Sequence, residues 1–254
     1  MNAQYPILEF DPNPNAILNP RPKPGEQPLP ERGVLCFFAD VLRDLVADGR
    51  LTEIGCLYSE IGRNPVYGLE VEGQPVFVFH PGVGAPLAAA FLEETIALGG
   101  RKYIACGGCG VLDKEIVAGH ALVLRGAVRD EGTSYHYLPP SREVRASPEA
   151  VSMLEAVMQR NGVPYRMGKA WTTDAIYRET EAKRALRIAE GCEVVEMEAA
   201  AFFAVAQFRG VTFGQVVYGG DLVIPEGWDH RDWMTRSDVR QALFWLAVEA
   251  AVGL

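Results

Sequence analysis

The chain has 254 residues, 48% of them hydrophobic and 22% charged, a balance that suits one large α/β domain. Its formal net charge of -9 argues against a nucleic-acid or anionic-membrane partner, because the long-range field repels a polyanion wherever no basic run is concentrated, and none is present. Five scattered cysteines, Cys36, Cys56, Cys106, Cys109 and Cys192, suit reduced core thiols better than a disulfide scaffold.

In chain order, the opening "MNAQYPILEF" lacks the cationic start and apolar core of a secretory peptide, and no apolar stretch reaches spanning length, so a cytoplasmic protein is expected. Residues 1–32 are rich in proline and read as an extended arm laid on the body or on a neighbouring subunit, with "YPILEF" as its anchor. The rest, 33–254, reads as one domain. A strand "VLCFF" precedes a helix "ADVLRDLVADG" with Val41, Leu42, Leu45 and Val46 at helical spacing, and "VYGLEVEGQPVFVFH" reads as two strands joined around Gly73.

A helix from Pro86, strands "KYIACG" and "ALVLRGAVRD", a helix from Pro148 and a strand "YRMGKAW" follow. The second half adds helix "ETEAKRALRIAEG", strand "EVVEM", helix "EAAAFFAVAQFRG", strand "TFGQVVYGG" and a helix from Ser237. Alternation of this kind predicts a largely parallel or mixed sheet with helices on both faces and a ligand beyond the strand ends.

Two glycine-bearing segments, His80–Pro86 and Cys106–Gly110, read as loops after strands, where backbone N–H groups approach a ligand closely. Neither is G-x-G-x-x-G or a Walker loop, so no nucleotide cofactor is expected. Cys106 and Cys109 form a C-x-x-C with no second pair and no histidine at ligand spacing, so no metal is expected either.

The segment "VVEMEAAA" sets Glu196 and Glu198 around Met197 before an apolar run. Buried carboxylates are costly unless hydrogen-bonded, so the pair serves a helix start through the dipole or a bound ligand. This segment, together with "GLEVEGQPVFVFHPGVGAPLAAAFLEETIALGGRKYIACGGCGVLDKEIVAGHALVLRGAVRDEGTSYHY", resembles the nucleoside phosphorylase family of purine nucleoside phosphorylases, uridine phosphorylases and methylthioadenosine nucleosidases, over Gly68 to about Asp221. The resemblance implies a single-domain three-layer α/β sandwich with a mixed, largely parallel sheet. It also implies a homo-oligomer (a dimer or trimer of dimers) that cleaves the N-glycosidic bond of a small-molecule nucleoside.

By resemblance, Glu198 takes the ribose 2′- and 3′-hydroxyls, Met197 packs on the ribose face, Glu196 assists at the 2′-hydroxyl, and Gly107 and Gly108 line the substrate. A carboxylate accepts two hydroxyls at once while the ring becomes cationic, which is why the chemistry calls for one. Ile176 and Tyr177 fall in the base site. The uridine-specific branch has Phe at Ile176 and a Gln-x-Arg insert, both absent, so the implied substrate is purine-leaning, with Asp221 as the acid that protonates the base although Gly220 replaces the usual serine. The loop "PEGWDHRDW" either covers the site, its tryptophans acting with Tyr177 or Trp171 as an aromatic stack, or is solvated with two packing anchors.

The departures concern phosphate. The family's Gly-Asp-Pro-x-Arg loop is missing, Ala105 stands for an arginine, and Gly108 for a phosphate-binding Ser or Thr. That leaves Gly82, His80 and Arg63, the last matched through an indel, as the anion site. Inorganic phosphate as co-substrate and water as nucleophile therefore both stay open, with Asp40 either activating water or capping the helix that follows it. A nucleoside-binding protein without chemistry is the other alternative.

Overall fold

The computed structural model describes residues 4–254. The first three residues of the expected arm lie outside them. The described arm carries one 3₁₀ turn, Pro6–Leu8, and lies on its own chain: Leu29 N–H donates to the Leu98 carbonyl at 2.8 Å and Arg209 Nη1 to the Pro14 carbonyl at 2.7 Å. A cavity of about 760 Å³, lined among others by Pro14, Lys23, Glu93 and Phe208, stays open beneath it.

The body runs β1 (Arg32–Cys36), α1 (Ala39–Ala47), β2 (Thr52–Ser59), β3 (Gly62–Val71), β4 (Gln74–Phe79), α2 (Ala85–Ala97), β5 (Lys102–Val111), β6 (Ala121–Asp130), β7 (Glu143–Arg145), α3 (Pro148–Arg160), β8 (Tyr165–Thr173), α4 (Glu181–Ala189), β9 (Val194–Glu196), α5 (Ala199–Arg209), β10 (Thr212–Ile224), β11 (Gly227–Asp229) and α6 (Ser237–Gly253). The helix ends follow local chemistry. Proline opens α3 at its first position, where the missing N–H costs nothing, and Gly210 closes α5 in the left-handed region at φ 66°.

The strands form one mixed sheet in the order β11-β10-β6-β8-β9-β5-β1-β4-β3-β2, with β7 on β6. Because β10 pairs with β5 as well as β6, strands β5, β10, β6, β8 and β9 close into a ring. One face buries α2 and α5 against Phe77, Phe79, Tyr103 and Phe213. The other buries α1, α3 and α6 against Val34, Val78, Ile104 and Val216. Alternating strand residues feed the two cores, which gives the three layers. No helix among the described residues is long and apolar enough to cross a membrane.

Three segments differ from the sequence reading. Cys106–Gly110 is no loop: β5 continues through it, because β1, β10 and β9 all supply ladder partners there. β10 likewise passes Gly220 and runs to Ile224. Strand β2 has no apolar alternation to announce it, since it lies at the sheet edge with most residues partly or fully exposed. The C-x-x-C is split between the faces, with Cys106 in the α1/α6 core and Cys109 in the α2/α5 core, and all five thiols are free.

Candidate active site

Register brings the site together. Thr172 of β8 lies opposite Glu196 of β9, Val195 opposite Gly110 of β5, and a bulge in β10 between Gly219 and Leu222 turns out Gly220 and Asp221 beside them. Gly110 is required at this crossing, since a Cβ there would sit 2.9 Å from Val195 Cγ1 and 3.6 Å from Asp221 Oδ2. At Gly107 a Cβ would lie 3.0 Å from the Phe37 ring, whereas at Gly108 it would make ordinary contact with Tyr218. These glycines lie where β5 meets β9 and β10, with Glu198 at the start of α5 and Asp221 at the β10 bulge.

The two glutamates do different work. Glu196 Oε2 accepts from the N–H groups of Glu198 (2.8 Å) and Ala199 (2.6 Å), and its Oε1 accepts from Thr172 Oγ1. Thr172 Oγ1 in turn accepts from Ala200 N–H at 3.0 Å. Glu196 is therefore the cap of α5, satisfying N–H groups that a helix start leaves orphaned. Both its oxygens already accept from the protein, which leaves little capacity for the 2′-hydroxyl.

Glu198 stands at the N-terminus of α5 but serves α2: its Oε1 accepts from Gly84 N–H at 2.5 Å. Gly84 sits at φ 92°, in a region that favours glycine, and this bend aims the amide. The Met197 backbone N–H also acts on it, and no side-chain donor among the described residues reaches Glu198, so part of its acceptor capacity is unspent. The carboxyl is 5% exposed and lies between two helix N-termini, where the dipoles favour a negative charge. Half-buried Met197 lies between the two glutamates in sequence.

Electrostatics follow from this packing. Burial pushes Glu196 up, while Thr172 and the two amides pull it down. Burial and then the charge of Glu196 push Glu198 up, opposed by the Gly84 and Met197 N–H groups. The Cys109 thiol is raised by burial first and then by Asp221 and Glu196.

The expected anion site is engaged elsewhere. Gly82 N–H donates to His80 Nδ1 at 3.0 Å, and burial pushes His80 down, so it is neutral at pH 7. Arg63 pairs with Glu53 on the outer hairpin. Asp40 neither caps α1, whose N-cap is Phe38, nor stands free, since Arg240 Nη2 holds it at 2.9 Å. Trp171 is fully buried with Nε1–H on Asp130 at 2.9 Å, and so is excluded as a base stack. Ile176 and Tyr177 lie on a 3₁₀ turn after β8, Tyr177 92% exposed.

Of the tryptophans in the expected covering loop, Trp228 donates through Nε1 to Asp221 Oδ2 at 2.6 Å and ties the β10–β11 hairpin to that carboxyl. Two further residues were missed by the sequence reading. Glu179, half-buried at the end of the 176–178 turn, faces Asp221 electrostatically. Arg43 joins His80, Asn64 and Tyr67 around a cavity of about 260 Å³. Glu179 follows Ile176 and Tyr177 by two to three positions and was legible only as one more carboxyl. Among the described residues no cluster of three metal-ligating side chains occurs.

The family model described as "Phosphorylase superfamily" matches residues 31–246. The chain belongs to the phosphorylase superfamily. Among relatives, this superfamily member is 29% identical over 187 residues to a guanosine phosphorylase from Halorubrum lacusprofundi, covering 72% of this chain and 74% of that protein. It is also 29% identical over 167 residues to a uridine phosphorylase from Thermococcus kodakarensis, covering 60% of each.

Among solved structures, the fold matches an AMP nucleosidase from Bacteroides thetaiotaomicron with a TM-score of 0.70 at 23% identity over 87% of each chain. It matches a uridine phosphorylase from Vibrio fischeri with a TM-score of 0.74 at 21% identity, over 89% of this chain and 93% of that one. The mixed sheet flanked by helices is thus that of the superfamily.

Proposed function

We propose that this phosphorylase-superfamily enzyme cleaves the N-glycosidic bond of a purine-leaning nucleoside. The observation that carries the reading is Glu198: a buried carboxyl held only by backbone amides, between two helix N-termini, with no side-chain donor among the described residues to take its remaining acceptor sites. Ribose 2′- and 3′-hydroxyls complete it, and positive charge developing on the ring strengthens those bonds in the transition state. Met197 packs on the ribose face and the glycine strand forms the floor. The base lies toward Asp221, and the guanosine phosphorylase relative supports a purine.

Two nucleophiles have specific support. The phosphorylase relatives favour phosphate. The engagement of Gly82, His80 and Arg63 with other partners favours water. Incubation with a nucleoside panel, with and without phosphate, is expected to release free base. Ribose 1-phosphate formed only in the presence of phosphate would remove the hydrolytic reading, and free ribose at a phosphate-independent rate would remove the phosphorolytic one. Binding with no base release would overturn the enzymatic proposal as a whole.

The same reading includes a homo-oligomer. It is supported by Tyr58 and Ile61, apolar side chains left exposed at the β2–β3 edge beside Arg63. Light scattering at micromolar protein is expected to give at least twice the chain mass, and a monomer would refute it.

A further inference from the structure

The two oxygens of Asp221 stand in unlike situations. Oδ2 accepts from Trp228 Nε1–H at 2.6 Å, while Oδ1 takes no hydrogen bond from any described residue and stays open to solvent. The carboxyl lies over β5, since a Cβ added at Gly110 would sit 3.6 Å from Oδ2 and 2.9 Å from Cγ1 of Val195, the residue before Glu196. One oxygen is therefore anchored and the other left free beside the strand that carries Gly107, Gly108 and Gly110.

The anchor contributes little by burial. Trp228 is 64% exposed, so its ring removes little apolar surface from water. Nor is it the only fastening of the β10–β11 hairpin and the loop after it. Lys114 Nζ donates to Glu226, Arg231 Nη1 to the Ile116 carbonyl and Tyr218 Oη to the Trp233 carbonyl, each at 2.8 Å. His230 packs edge-on to the indole with ring centroids 5.3 Å apart, which helps to fix the plane from which Nε1 donates.

What the bond supplies is orientation. The last torsion of an aspartate side chain is broad and soft, so an untied carboxyl sweeps a wide arc. A donor on Oδ2 fixes that torsion and, with it, the place of Oδ1. We propose that Trp228 is a positioning residue for Asp221: its indole N–H holds Oδ2 so that Oδ1 meets the purine edge in one geometry. The inference rests on the nucleoside-cleaving reading above, in which the base lies toward Asp221. Trp228 acts only through that carboxyl. A contact already in place needs no reorganisation as charge passes into the departing base, so the indole assists bond breaking with a poor leaving group and leaves ribose binding alone. A bond that merely fastened the hairpin would, when lost, affect every substrate alike.

The test is a double-mutant cycle on the whole chain: wild type, Trp228→Phe, Asp221→Asn and the double variant. Each is assayed for kcat and KM on inosine or guanosine and on nitrophenyl riboside, whose leaving group departs without help from the protein. Phenylalanine keeps an aromatic ring beside His230 and removes only the donor.

Trp228→Phe is expected to lower kcat for the purine nucleoside about 10-fold at little-changed KM, a part of the roughly 10²-fold loss expected for Asp221→Asn. It should spare the riboside, whose turnover also shows that the variant is folded. With Asp221→Asn already present, Trp228→Phe should add no further loss, because the carboxyl it positions is gone. Losses that multiply in the double variant, equal falls on both substrates, or an undiminished kcat in Trp228→Phe would each overturn the positioning role while leaving nucleoside cleavage in place. A wild type that releases base from no nucleoside would overturn the reading beneath it.

Discussion

Replacing Glu198 by glutamine is expected to lower kcat/KM for nucleoside cleavage by about 10²–10³-fold, in line with the loss of one preorganised polar contact to developing charge. The amide oxygen of glutamine can still accept from Gly84 N–H, so the loop His80–Gly84 keeps its anchor. The amide nitrogen only donates, so the second ribose hydroxyl loses its acceptor, and no charge faces the cationic ring. The same change is expected to raise the melting temperature at alkaline pH. Glu198 is raised in the fold by burial and by Glu196. Stability tied to such a raised carboxyl is fully present below the ordinary carboxylate range and is lost as pH rises through the raised value.

The wild type should therefore melt lower at pH 8.5 than at pH 5.5, and Glu198→Gln should flatten that slope. Activity measured beside a thermal melt at the two pH values checks both halves. Near-normal turnover in the variant would return Glu198 to a purely structural role at the α2 terminus.

Glu196→Ala is expected to act in the opposite sense, on the fold more than on substrate contact. It strips the acceptor from Glu198 N–H, Ala199 N–H and Thr172 Oγ1 at a position 7% exposed. Unpaired buried donors cost about 1–3 kcal/mol each, and relief of a buried, raised carboxyl offsets part of that. The net loss is expected to be about 2–4 kcal/mol, within the range for a broken buried network. Urea unfolding should show it as a lower midpoint at unchanged slope. An unchanged midpoint would mean that Glu196 is not the cap of α5 and would restore it as a ribose ligand.

Much of this protein was legible in its sequence. Helical spacing located the helices other than α4 for a physical reason, because each of them buries an apolar stripe or, for α5, most of its surface, and such runs leave a periodic or continuous apolar trace. The Glu-Met-Glu segment marked two carboxyls that need partners, a helix start or a ligand, because buried carboxylates are costly unless hydrogen-bonded.

What the sequence left undivided was the labour between Glu196 and Glu198, two residues apart and alike in chemistry. The fold divides them by giving Glu196 the amides next to it and Glu198 an amide 114 positions away. Cys106–Gly110 read as a loop because glycine signals a turn when only local preference counts. Three neighbouring strands make it a strand, since their ladder hydrogen bonds outweigh that preference. Asp221 and Trp228 stand seven positions apart with no local pattern that pairs them. Only tertiary structure, through the bulge in β10 and the antiparallel return of β11, brings the indole N–H to the carboxyl, because that contact depends on where the ladder breaks and turns back, which no local preference records.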